Sequence, residues 1–259
     1  MRMNKTLLTG MVLSAVSSLA FGCADDDTTT STAAATGSSA LTVLLEPEGT
    51  ITDGIEPGDA VDNIRDGWKV EFSKYIVAVG DVDINLSTNS AASAEDANIY
   101  VIDIKALPAA GEPLWFFDGL AEGRWDFNYA TPGAADGSTR HESVTEADYD
   151  AMVASDWTYL INGSITKEDG QSCPPASLAT PGDKTSNGNT DKGDNPCFDA
   201  PTVNFEFGVS AETSFGPCEI DGVPGAALTN DQTQTVAATI HGDHIFFNGF
   251  PEGDEGGVL

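Results

Sequence analysis

The sequence predicts a mainly β protein: an antiparallel β-sandwich with one short helix and long loops. Three observations lead there. Short apolar runs recur with a period of two and are separated by Gly, Pro, Asn and Asp turn signals. Only one stretch has apolar residues at helical spacing. Past the N-terminus there is no apolar run of the roughly 20 residues a transmembrane helix needs.

Leu41 to Leu45 is an opening strand, ended by the turn Glu46-Pro47-Glu48-Gly49, and Thr52 to Asp66 is an acidic loop. Trp68, Val70 and Phe72 alternate with polar residues. Tyr75, Val77 and Val79 continue on the opposite parity, and Val82, Ile84 and Leu86 switch back. A strand keeps one face only while its parity holds, so the two switches predict bulges or a bend near Ser73 and Gly80. Ile99 to Ile104 is a further strand, and Leu114 to Phe117, Gly119 to Gly123 and Trp125-Phe127-Tyr129 read as strand, turn and strand. Thr145 to Ala154 is the helix, with Thr145 and Asp148 spaced as a capping box. Trp157 to Ile165, Val203 to Val209, Phe215 to Ile220 and Val236 to Phe250 complete the strands. The domain is thus one sandwich over 41–250, interrupted by a Cys-bounded loop at 168–201 and followed by an acidic tail at 251–259.

The chain carries 41 Asp and Glu against 11 Lys and Arg, a formal charge of −30. Such a field repels nucleic acid and anionic lipid surfaces and favours a cationic ligand or a metal ion. Catalytic signatures are absent: there is no G-x-S-x-G elbow, H-E-x-x-H, P-loop or G-x-G-x-x-G. The acidic residues are too many for any pair to mark a glycosidase, so an exported hydrolase ranks last among the functional readings. Asp81-Val82-Asp83-Ile84-Asn85 begins like a calcium loop, but Leu86 stands where Gly is required, and the alternation reads as strand. Strand alternation likewise assigns Trp115, Phe116, Trp125, Phe127, Tyr129, Trp157 and Tyr159 to core packing rather than to a sugar platform.

Residues 1–22 have the form of a signal peptide, with Arg2 and Lys5 ahead of an apolar run from Leu7 to Ala20. The following Leu19-Ala20-Phe21-Gly22-Cys23 resembles the lipobox of bacterial lipoproteins. That resemblance implies a lipidated Cys23 and a protein anchored in the cell envelope, at the outer membrane or the periplasmic face. Ala20-Phe21-Gly22 also reads as an ordinary cleavage site, which would make the protein secreted. Residues 23–40 are Asp, Thr, Ser, Ala and Gly almost throughout, a composition that buries no core and forms a disordered tether. With Cys23 acylated, three cysteines remain in an oxidising compartment. Cys173 with Cys197 is the favoured disulfide, stapling the loop between them, and Cys197 with Cys218 is the competitor.

The Ile240-His241-Gly242-Asp243-His244-Ile245 stretch reads as a two-residue hairpin turn. That geometry opposes His241 and His244 across two strands, and with Asp243, or with His141 from elsewhere, they would suit copper or zinc. The same counting places Val236, Ala238, Ile240, Ile245 and Phe247 on the buried face. The bent strands from Trp68 to Leu86, the strand at Tyr100 to Ile104 and the turn Leu120-Ala121-Glu122-Gly123-Arg124-Trp125 are similar to small exported β-sandwich lipoproteins, among them the methanobactin-associated periplasmic proteins. This likeness spans roughly the middle third of the chain and is architectural: some of those proteins bind copper, which adds to the metal expectation without assigning a ligand to any residue here. The leading expectation is a non-enzymatic envelope module that binds a ligand or has a structural role, with metal binding through the His pair as the alternative.

Overall fold

A computed structural model describes residues 37–60, 63–172, 198–220, 223–243 and 245. Strand β1, Ser39–Pro47, alternates buried and half-buried residues, so Leu41, Val43 and Leu45 enter the core. A helical turn, α1, Gly49–Thr52, follows, with the Glu48 carboxylate accepting the Thr50 N–H at 2.9 Å. Next come the long β2, Lys69–Leu86, and β3, Asn89–Asp103. Strands β4, Glu112–Leu120, β5, Gly123–Thr131, and β6, Thr139–Arg140, precede helix α2, Glu146–Ser155. Strand β7, Tyr159–Thr166, and the short β8, Gln171–Ser172, and β9, Phe198–Asp199, lead to β10, Thr202–Val209. The remaining strands are β11, Thr213–Phe215, β12, Glu219–Ile220, β13, Val223–Pro224, β14, Ala226–Leu228, and β15, Thr233–Ile240.

The strands form a small sheet, β15-β1-β4, and a large one built on β10-β7-β2-β3-β6, with β5 joined to β2, β11 and β14. The mainly β, sandwich-like expectation holds. Two pairings depart from a purely antiparallel plan: β1 runs parallel to β15, with Val43 opposite Val236, and β3 runs parallel to β6. A second helix, α1, adds to the one expected. Its four residues carry too little periodicity to be read in sequence.

Both parity switches take the form of bulges. The β2–β7 register shifts between Phe72 and Lys74, and the β2–β3 register shifts between Gly80 and Val82, where Asp81 takes a left-handed φ of 52°. Only glycine fits at 80, because a Cβ there would stand 2.1 Å from the Asn98 carbonyl oxygen. Between the bulges β2 is buried on both faces. Tyr75, Val77 and Val79 face the inter-sheet core, while Ile76 and Ala78 pack with Val101, Val144, Met152 and Leu160 in a second core. Helix α2 roofs that second core. Thr145 caps it as expected, its hydroxyl accepting the Asp148 N–H at 3.2 Å.

Although β4 and β5 are consecutive, they do not pair. β4 lies against β1 in the small sheet and β5 against β2 in the large one, so the Ala121-Glu122 turn crosses the sandwich. The Trp125 indole N–H donates to the Ala121 carbonyl at 3.0 Å and fixes that corner. Among the described residues strand β10 bonds to β7 alone and so forms an edge of the large sheet. Its alternating Val203, Phe207 and Val209 are left exposed despite their regular pattern.

Candidate functional site

The site follows from a fork in the large sheet. Along one edge of β2, residues 69–77 bond to β7, ending at the pair Val77 and Tyr159, and residues 80–86 bond to β5, starting at Gly80 and Ala130. The second bulge is where β2 changes partner, so β7 and β5 separate there. The gap takes tyrosines from all three strands, Tyr75, Tyr129 and Tyr159, and is closed by Ala211, Thr213 and Phe215 on the β11 side and by Thr239, Ile240 and His241 at the end of β15. The result is a cavity of about 290 Å³ between the sheets, at the small end of the range for ligand pockets.

Its walls are aromatic and ordered. Tyr75 and Tyr159 meet at 79° with ring centroids 6.2 Å apart, making a corner, and Phe215 stacks on Tyr129 at 4.8 Å and 17°. Two phenol hydroxyls are directed into the protein: Tyr129 donates to the Thr239 carbonyl at 3.3 Å, and Tyr159 to Thr131 Oγ1 at 3.5 Å. Burial pushes the Tyr75 phenol well above its ordinary value, with further contributions from Tyr159 and the Asp243 carboxylate. Burial raises Tyr129 likewise, and it raises Tyr159 despite the opposing hydrogen bond with Thr131. All three rings are therefore neutral at physiological pH. Among the described residues no Lys or Arg lines this cavity.

A larger depression of about 470 Å³ is lined by Thr52, Asp53, Glu71, Lys105 and Asn204 among others. Its walls are polar, and the Lys105 ammonium is already held by the Thr52 carbonyl. The aromatic cavity is the better-formed site, because apolar walls with a few fixed polar groups are what a small ligand needs.

His241, expected as a metal ligand, is exposed and lines the mouth of this cavity. Asp243 is buried, with 4% of its surface exposed, instead of standing at a surface turn. The chain bends at Gly242, whose N–H donates to Thr50 Oγ1 at 2.9 Å and so ties the end of β15 to α1. Of the face expected to be buried, Val236, Ala238 and Ile240 are in the core, but Ile245 is 43% exposed. His244 and Phe247 lie outside the described residues. His141 does not join His241: it lines a separate cavity with Leu107 and Glu112, and its Nδ1 lies 2.9 Å from Ser143 Oγ. Among the described residues no group of three or more His, Cys, Asp or Glu side chains is placed to hold a metal ion.

Cys218 is a free, half-buried thiol, and burial pushes its pKa up to about 11. Cys23, Cys173 and Cys197 lie outside the described residues, as do residues 1–36 and 246–259. Among the described residues no helix is long and apolar enough to cross a membrane.

Strand alternation had assigned Tyr129 and Tyr159 to the core, and so missed the cavity. The available signal was the choice of Tyr over Phe at inward positions of three strands, since a buried phenol requires a polar partner. No protein-family model, no curated protein and no solved structure matches the chain.

Proposed function

We propose that this is a lipid-anchored binding module of the bacterial cell envelope, tethered through Cys23, which holds a small ligand in the aromatic cavity between its sheets and carries out no chemistry on it. The observation that carries this reading is the cavity itself, where three neutral tyrosines, Phe215 and Thr239 line about 290 Å³ with no Lys or Arg among the described lining residues. The leader, the lipobox-like segment and the tether support the anchoring, and the charge of −30 supports a site from which nucleic acid is repelled. A Cys173–Cys197 disulfide belongs to the same proposal. The β8–β9 ladder ends at the pair Ser172 and Phe198, and the two cysteines are the next residues in sequence on its two arms.

Titration of the mature full-length chain with N-phenyl-1-naphthylamine, a neutral aromatic fluorophore, tests the site. Saturable binding at one equivalent is expected, and Thr213→Trp, an exposed lining position on the same face of β11 as Phe215, abolishes it. Absence of binding, or equal binding by the variant, refutes the reading. Mass spectrometry of the native N-terminus tests the anchor: diacylglycerol on Cys23 is expected, and an unacylated start elsewhere overturns it. Peptide mapping without reductant is expected to recover the segments holding Cys173 and Cys197 as one linked species.

A further inference from the structure

From the aromatic corner, the lack of Lys and Arg among the described lining residues and the acidity of the whole chain, we infer that the cavity between β5, β7 and β15 selects a trimethylammonium group. The inference rests on the proposed ligand-binding role of this cavity and names its ligand class.

Four aromatic rings line a space with room for one small group. Aromatic faces are electronegative, and an organic cation close to several of them is attracted without needing a carboxylate in contact. Tyr75 and Tyr159 supply two walls at 79°, and the stacked Tyr129 and Phe215 lie across the same cavity. The lining is mainly apolar, so a ligand meets carbon surface far more than acceptor oxygens.

That distinction separates the possible cations. A primary ammonium or a metal ion must exchange its water for oxygen or nitrogen ligands, and the walls offer few. A trimethylammonium group is weakly hydrated, donates no hydrogen bond and has its charge spread over methyl groups, so it gains the ring contacts at a small desolvation cost. An anion is disfavoured by the ring faces and by the chain's net charge of −30. The Asp243 carboxylate, whose charge is felt at Tyr75, adds a local negative potential behind the corner.

Choline and its neutral isostere 3,3-dimethylbutan-1-ol, each competing against N-phenyl-1-naphthylamine on the full mature chain, separate charge recognition from shape. Choline is expected to compete about ten-fold more strongly, and its advantage to shrink as ionic strength rises. Phe215→Leu keeps an apolar wall but removes a ring. It is expected to weaken choline about five-fold relative to the fluorophore, and a wild-type circular dichroism spectrum reports that the variant is folded. Phosphatidylcholine vesicles present the same group as a lipid headgroup, so co-sedimentation with them identifies a headgroup source and competition by choline alone a free one. Fluorophore binding with equal competition by the two isosteres, or with none by choline, overturns the cation inference and leaves the binding site standing. Loss of fluorophore binding by the wild-type chain removes the site itself.

Discussion

Replacing Asp148 by Asn measures how firmly α2 is fastened to the large sheet. Lys74 stands beside the first β2 bulge, and its ammonium meets Asp148 Oδ1 at 2.7 Å with the two side chains 27% and 18% exposed. The Thr145 hydroxyl donates to the other carboxylate oxygen at 2.7 Å. Burial by itself would raise this carboxyl, but the hydrogen bonds from Lys74 and Thr145 outweigh it and hold Asp148 below the ordinary carboxylate range. An exposed ion pair contributes under about 1 kcal/mol and a hydrogen bond to a charged group about 1.5–3. For this partly screened pair the loss on Asp148→Asn is expected to be about 1.5 kcal/mol at pH 7, or roughly 3–6 °C in Tm. A carboxyl whose folded pKa is depressed stabilises the protein above its unfolded value of about 3.9, and that stabilisation is lost as pH falls through the folded value. Urea unfolding of wild type and variant should therefore differ at pH 7 and differ less at about pH 3. A double-mutant cycle with Lys74→Met assigns the coupling. A difference below about 0.3 kcal/mol at pH 7, or one of the same size at both pH values, refutes the reasoning.

Asp103 should behave in the opposite sense. It accepts the Tyr75 and Lys105 N–H groups at 2.9 and 3.1 Å, yet burial raises its carboxyl despite those bonds. Ionising it costs stability as pH rises from the unfolded value through the raised folded one, so Asp103→Asn should gain on wild type between about pH 4 and pH 7 in urea titrations; a pH-independent difference would contradict this. The Cys218 thiol, with its pKa near 11, should react with iodoacetamide at pH 8 on the order of a hundred-fold more slowly in the folded chain than in urea, as quantified on the Cys218 peptide. Equal rates would show that burial does not protect it. Gly80→Ala drives a methyl against the Asn98 carbonyl and the Ile99 Cα, at 2.1 and 2.7 Å, and should cost about 1–3 kcal/mol by urea unfolding; an unchanged midpoint would mean that the strands separate freely at the bulge.

The local features were legible because they are written in neighbouring residues. Parity switches around Ser73 and Gly80 located both β2 bulges, and the Thr145–Asp148 spacing located the α2 cap. Alternation also separated the faces of β1, β5 and the end of β15. Regular alternation in β10 misled for the same local reason: it records which side chains share a face, not whether another layer covers them.

Side-chain period and charge, acting over a few residues, are enough to place most of the strands, their bends and the acidic character. Only the tertiary structure decided that β1 lies parallel to β15, that β4 and β5 belong to different sheets, and that β2 exchanges β7 for β5 at its second bulge. Those choices join backbone groups as distant as Ala40 and Thr233, where many partners satisfy the same hydrogen bonds and close packing of the whole core selects one arrangement. The tyrosine cavity exists only where that selection leaves β5 and β7 apart.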